Sequence, residues 1–245
     1  VDRQIVAEKL QLVRERLPEE ARPVMAPISS IMGEITFVAM TSETVSPMEL
    51  RKVAETTVRR ALLSLPGIAE VIVIGGEVRE IQVELEPTAL LQYGLSVVQV
   101  VDAVAEASDN PTAGFHVDHG QEYLVRGLGR ARSAEDFASA VVAVRDGQPI
   151  RVRDLGRVAL GAAPVRGTAS YRAHPAVILS IQKQVDANTL ELTRLIDHRL
   201  EELAQALPEG VVIEKENFRQ ADFIEVAIRN VSHALRDGAV LVILV

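Results

Sequence analysis

Apolar residues recur at helical spacing in three stretches of this chain, and each stretch closes on Leu-Pro. Counting back from Leu207, they fall at Leu203, Leu200, Ile196, Leu195 and Leu192. Counting back from Leu65 gives Ala61, Val58, Ala54, Val53 and Leu50, and from Leu17 gives Val13, Leu10, Val6 and Ile5. Such i, i+3, i+4 stripes predict three amphipathic helices, each with one face to bury. The proline then ends each helix, and a β-rich run follows from Val24, Ile68 and Val211.

The middle helix has a defined start, because Ser46-Pro47-Met48-Glu49 reads as a capping box with proline at the first helical position. Glu34 to Met40 precedes it as a strand, and Ala176 to Gln182 precedes the last helix in the same way. Two strand-helix-strand halves therefore flank an insertion of roughly eighty residues, long enough to form a domain of its own. One split, ferredoxin-like α+β domain is favoured over two independent halves, since each half alone would leave sheet edges open. At Gly75-Gly76 the pattern changes from the continuous apolar run Ile68 to Ile74, expected of a strand covered on both faces. Beyond it, Ile81, Val83 and Leu85 alternate with Gln82 and Glu84, as in a half-exposed strand, so the glycines mark where the chain turns into the insertion.

Within the insertion, Pro87 opens a short helix closed by Gly94, and Ser96 caps a second with Val97, Val100, Val101 and Val104. Ser108 to Gly120 reads as a polar loop, with Asn-Pro and Gly breaking any periodicity, and Gln121 to Leu128 as a strand. Ser133 starts a short helix, and Ala140 to Val144 forms a hairpin with Ile150 to Val152 around Asp146-Gly147. After Asn217 helical spacing returns at Ile224, Ile228, Val231 and Leu235, and runs into Gly238 to Val245. Those eight apolar residues fit either a continued helix or a final strand, and are fewer than the roughly twenty that span a bilayer.

The 245 residues, 48% of them hydrophobic, suffice for two compact units. The first residue is not Met and the last lie inside an apolar run, so a piece of a longer polypeptide is expected. No cysteine is present, which removes disulfides, thiolate metal sites and a Cys nucleophile. A net charge of -8, with 3% aromatic residues and no Trp, argues against a nucleic-acid partner. His116-Val-Asp-His-Gly-Gln-Glu122 is the one cluster of ligand types, but zinc needs three or four convergent ligands, and a solvated loop accounts for it. Met25, Met32, Met40 and Met48 are read as packing residues rather than thioether ligands. Gly75-Gly76 lacks the spacing of a dinucleotide fingerprint, and no nucleophile-base set or carboxylate pair stands out. Neither an enzyme nor a bound cofactor is expected.

Several motifs in order resemble one family. They are Ala26-Pro-Ile-Ser-Ser-Ile-Met-Gly-Glu34, Pro66-Gly-Ile-Ala-Glu-Val71 with Gly75-Gly76, Leu90-Leu-Gln-Tyr-Gly-Leu-Ser96, Gln121-Glu-Tyr-Leu-Val-Arg-Gly127, Val152-Arg-Asp-Leu-Gly-Arg-Val158 and Phe218-Arg-Gln-Ala-Asp-Phe-Ile224. Together they resemble the first periplasmic loop of resistance-nodulation-division efflux transporters, and the Pro-Ile-Ser-Ser and Gln-Glu-Tyr-Leu-Val-Arg-Gly segments resemble the heavy-metal branch.

The resemblance implies a proton-driven pump of the bacterial inner membrane, of which these residues would be the porter and docking portion. Residues 1–22 would end a first porter subdomain, 23–76 and 163–217 form the second, 77–162 form a docking insert, and 218–245 begin a transmembrane helix. It also implies a homotrimer with a periplasmic adaptor and an outer-membrane channel. A docking hairpin in the region of Asn110, Pro111, His116 and His119 would reach a neighbouring protomer. Gly33, Glu34 and Phe37, with Arg166 and Gly167, would wall the porter cleft, the glycines allowing close backbone approach. The family's proton-relay carboxylates and methionine metal site lie outside these residues, so no metal site is carried over. A soluble ferredoxin-like module holding a ligand at the His116 loop is the alternative.

Overall fold

The structure, a computed structural model, describes residues 2–13, 16–18, 21, 23–25, 33–110, 112–127, 129–215 and 217–244. Two compact units are present, Val1–Gly76 with Gly167–Val245, and Glu77–Arg166. In the first, helix α1 (Asp2–Val13) is followed by β1 (Glu34–Ser42), α2 (Pro47–Val53), a π-helical turn (Ala54–Val58), α3 (Arg59–Leu63) and β2 (Ile68–Gly75). The second holds β3 (Arg79–Leu85), α4 (Pro87–Tyr93), α5 (Val97–Ala107), β4 (Thr112–Asp118), β5 (Gln121–Arg126), α6 (Ala134–Ser139), β6 (Val141–Arg145), β7 (Gln148–Arg151), α7 (Val152–Leu155) and β8 (Gly156–Ala162). The chain returns to the first unit through β9 (Ser170–Tyr171), β10 (His174–Pro175), β11 (Val177–Lys183), α8 (Thr189–Ala204), β12 (Val211–Glu214) and α9 (Gln220–Leu244).

The main sheet has the order β12-β1-β11-β2, with antiparallel neighbours throughout. The two strand-helix-strand halves are therefore not independent: β11 lies between β1 and β2, and β1 between β12 and β11. One face of this sheet carries the core. Ile35, Val38 and Met40 of β1 and Val177, Leu179 and Ile181 of β11 pack with Leu50, Val58 and Leu62 and with Leu192, Ile196 and Leu200.

β2 corrects the expectation of a strand covered on both faces. It is an edge strand in which Ile68 and Val71 are buried while Ile72 and Ile74 are 38% and 41% exposed. A continuous β-branched run favours extended backbone on either face, so it records strand propensity rather than double burial. In α8 the stripe also differs by one position. Leu195 is exposed and Thr193 is buried in its place, its hydroxyl donating to the Thr189 carbonyl at 2.8 Å. A threonine satisfied by its own helix can enter a core without an orphaned hydroxyl.

Helix α2 begins at Pro47 with the Ser46 hydroxyl accepting from the Glu49 amide at 3.3 Å. The expected reciprocal half of the box is replaced, because the Glu49 carboxylate accepts from Lys52 Nζ at 2.8 Å. Neither α3 nor α8 reaches its Leu-Pro: they stop at Leu63 and Ala204, while Leu65 and Leu207 pack against the core from the turns that follow. The residue before proline disfavours helical backbone, so the stop falls earlier than the proline itself. In α1 the predicted face is not covered, Ile5 and Val6 being about half exposed.

The second unit centres on Leu90, Leu95, Val100, Ile150, Val152 and Leu155. Gly94 closes α4 in left-handed conformation, and Ser96 with Gln99 forms a complete capping box on α5. Ser133 and Asp136 do the same for α6, where hydrogen bonds from the Arg132 amide, the Ser133 hydroxyl and the Ser133 amide hold the Asp136 carboxyl below its ordinary range. β6 and β7 pair across Asp146-Gly147 as expected. The Ser108 to Gly120 loop is a correction: Thr112 to Asp118 is a strand, β4, paired antiparallel with β5. Phe115 and Val117 alternate with His116 and Asp118, and His119-Gly120, both at positive φ, supply the two-residue turn that matches strand twist. Val152, expected at the end of the hairpin around Asp146-Gly147, instead opens α7, and β8 lies in a stretch for which the hydrophobic pattern predicted no element.

A third tight hairpin, β9–β10, turns through Arg172 and Ala173 at φ 47° and 64°. Neither is the Asn or Gly that this turn favours, and left-handed backbone costs an L-residue about 1–2 kcal/mol. Ala173→Gly is expected to raise stability by about 1 kcal/mol, read as a higher denaturant midpoint with an unchanged slope.

The C-terminal apolar run takes the helical alternative, continuing α9 to Leu244. Ile228, Val231, Leu235 and Val240 to Ile243 are all exposed. Among the described residues no single helix is long and apolar enough to cross a membrane.

Candidate functional site

The start of α9 is tied to the sheet and to α8 by a cluster of polar and aromatic contacts. The Phe37 amide donates to the Phe218 carbonyl at 3.0 Å, and Thr36 forms an isolated bridge with Arg219. The Phe37 and Phe218 rings lie 5.6 Å apart at 49°, and Phe218 is 6.2 Å from Phe223, tilted geometries favourable to aromatic quadrupoles. Arg219 then grips α8 as a fork: Nη1 donates to Asp197 Oδ1 at 3.0 Å and Nη2 to Oδ2 at 2.7 Å. Its Nε lies 3.4 Å from Asp222 Oδ1 in the first turn of α9.

Such bidentate pairing fixes direction as well as distance. The Asp197 hydrogen bond, with the charges of Asp197 and Asp222, raises the Arg219 guanidinium above its ordinary value against the opposing effect of partial burial. Lys215 donates to Glu201 at 2.8 Å, adding a second link between α8 and the segment leading into α9. Asp197, Lys215, Asn217, Arg219 and Asp222 line a shallow cavity of about 540 Å³. Asn217 Nδ2, at this cavity, and Gln220 Oε1, at the start of α9, are buried without a hydrogen-bond partner among the described residues.

Of the residues singled out from sequence, Gly33, Glu34 and Phe37 lie at the start of β1, and Phe37 joins the aromatic cluster. Glu34 is already engaged, since the Ser180 hydroxyl donates to its Oε1. Arg166 and Gly167 are both exposed and fall on opposite sides of the division between the units. At Gly167 an added Cβ would meet nothing within 4 Å, so the expected close backbone approach does not occur there. Ile31 and Met32 lie outside the described residues, as does Pro111.

Asn110 follows α5, where its Oδ1 accepts from the Arg130 amide at 3.2 Å. His116 stands on β4 opposite Tyr123, whereas His119 sits in the turn with Nδ1 2.7 Å from Asp118 Oδ1. Among the described residues, no three His, Asp or Glu side chains converge as a metal group. Arg219 and Asp197 were missed as a pair. The available signal was Phe218-Arg219 immediately before an apolar helix, together with Asp197 beside the core stripe of Ile196 and Leu200.

Comparison with known proteins gives the class. The sequence model of the AcrB/AcrD/AcrF family matches residues 1–245, and the chain belongs to that family, the resistance-nodulation-division efflux transporters. It is 31% identical, over 99% of its length and 24% of the relative's, to the cobalt-zinc-cadmium resistance protein CzcA of Cupriavidus metallidurans. It is also 31% identical to the cation efflux system protein CusA of Escherichia coli, over 98% of this chain and 23% of that one. The multidrug resistance protein MdtC of Edwardsiella ictaluri is 28% identical over 88% of this chain and 21% of its own. The chain thus spans about a quarter of the length of these relatives.

Proposed function

We propose that this chain is the periplasmic porter and docking portion of a proton-driven inner-membrane pump that exports heavy-metal cations. The observation that carries the reading is α9, which leaves the sheet through the Arg219–Asp197 fork and presents an exposed apolar flank to Ile243. An apolar helix clamped to a rigid sheet can carry motion between a membrane and the periplasm, since packed elements move as bodies rather than deforming continuously. In this reading, residues 23–76 and 163–217 form a split ferredoxin-like porter subdomain, 77–162 the docking insert, and 218–245 the start of a membrane helix. Gly33, Glu34, Phe37, Arg166 and Gly167 belong to the cleft wall. Cation specificity follows the names of CzcA and CusA.

The same reading makes the protein a homotrimer served by an adaptor and an outer-membrane channel. The β4–β5 hairpin bears exposed Phe115, Val117, Tyr123 and Leu124, apolar area suited to a neighbouring protomer. A soluble module with a ligand at His116 and His119 is the weaker reading, because that pair has no convergent third ligand among the described residues. Expression of the full-length protein in a host lacking its own cation pumps should raise the tolerated concentration of cobalt, zinc, cadmium or copper salts. Replacing His116 and His119 by Ala should leave that tolerance unchanged. Absence of tolerance toward every cation would reject the metal assignment, and its loss only in the double variant would move ion handling to the hairpin.

A further inference from the structure

Each compact unit pins the connecting chain firmly on its own side. In the first unit, Arg51 Nη1 donates to the Gly75 carbonyl at 2.7 Å, while its Nε donates to Glu55 at 2.7 Å. The guanidinium is thus held from its own helix while it grips the end of β2. A Cβ at Gly75 would run into Ala169 Cβ and the Ala176 carbonyl, both at 2.6 Å, and the Ala176 amide donates to the Ala169 carbonyl at 3.0 Å. A Cβ at Gly76 would meet Arg51 Cβ and Val177 Cγ2, both at 2.8 Å. Both glycines are at positive φ, 80° and 66°, so they are required by conformation as well as by space.

In the second unit, the Ala163 amide donates to the Val78 carbonyl at 2.8 Å, closing the ladder of β3 with β8. Between these anchors the outgoing arm is only Gly76-Glu77 and the return arm only residues 164–168, neither in regular structure. The return arm contains Gly167, around which there is open space.

We propose that Gly76-Glu77 and residues 164–168 form a two-arm hinge between the compact units, and that Arg51 is the positioning residue that fixes its fulcrum at Gly75. Bending is confined to a few residues because the backbone is anchored on either side, the condition under which large dihedral changes are absorbed locally. The short arm sets where rotation occurs, and the longer arm gives the slack that rotation needs. Such a hinge would operate whatever the protein transports.

The test uses the full-length transporter carrying nitroxide labels at Gln148→Cys and Gln205→Cys, one exposed site in each unit, with the distance distribution read by pulsed electron resonance. Arg51→Met, which keeps the stem and removes the grip, should widen the distribution about twofold. Arg51→Lys should stay near the native width, and Gly167→Pro should narrow it by stiffening the return arm. An unchanged width in Arg51→Met overturns the proposal. So does a widening accompanied by loss of cooperative melting, because Arg51 would then act through the fold rather than on the hinge.

Discussion

Arg219→Met is expected to detach the first turn of α9 from α8 and, on the proposed export function, to remove most of the cation tolerance that the full-length protein confers. The fork to Asp197 is partly buried, at 21% and 27% side-chain exposure, so solvent screens it only in part. Removing the cation loses two charge-assisted hydrogen bonds and leaves Asp197 facing the cavity without its partner, at a cost of about 2 kcal/mol. Amide exchange over residues 220–224, and at the Phe37 amide that donates to Phe218, should quicken, while the other amides of β1 and those of β11 keep their protection. Asp197→Asn should give a smaller loss, and the double variant should cost less than the two single losses summed, as for residues that act as one unit. Additive losses would mean that Arg219 works through Asp222 instead.

Gly156→Ala should have the larger effect on folding. Gly156 begins β8 opposite Leu85, and a Cβ there would strike the Glu84 carbonyl and lie 2.9 Å from Leu85 Cα. Its φ of 169° is ordinary extended backbone, so space rather than conformation demands glycine. Backbone cannot yield as a flexible side-chain tip can, and the β3–β8 ribbon must open, at a cost of about 3 kcal/mol. The Glu77–Arg166 unit should melt several degrees lower while the main sheet keeps its own transition. A single unchanged transition would show that the ribbon absorbs the methyl group.

What the sequence made legible follows the range of the forces involved. Caps and tight turns are local, so Ser46, Ser96, Ser133, Gly94 and Asp146-Gly147 could be placed before any tertiary contact was known. Helical stripes were read well in α2, α3 and α8, apart from Thr193 replacing Leu195. They were not in α1, whose face is exposed, nor in α5, where Val100 is buried while Val97 and Val101 face outward, because burial needs a neighbour that the stripe does not name. β2 was misjudged because its burial depends on strand order, which a run of β-branched residues does not encode. β4 was overlooked because Asn110 and Gly114 obscured the short alternation from Phe115 to Asp118. The family resemblance was legible from ordered motifs spread along the whole chain. The Arg219–Asp197 fork was not, since its two residues lie on separate elements and neither is unusual for its own helix.

The strand order also dictates a timetable for synthesis. Among the described residues the strand partners of β1 are β11 and β12, which begin at Val177 and Val211, so these pairings wait until every residue of Glu77–Arg166 has left the ribosome. The contiguous middle unit can fold as it emerges, whereas the nascent strand Glu34-Ile-Thr-Phe-Val-Ala-Met-Thr-Ser42 waits unpaired with its apolar residues uncovered. Stalled translation between Arg166 and Val177 would therefore leave a sticky, half-built product, and chaperone demand should peak over that interval rather than at the end of the chain.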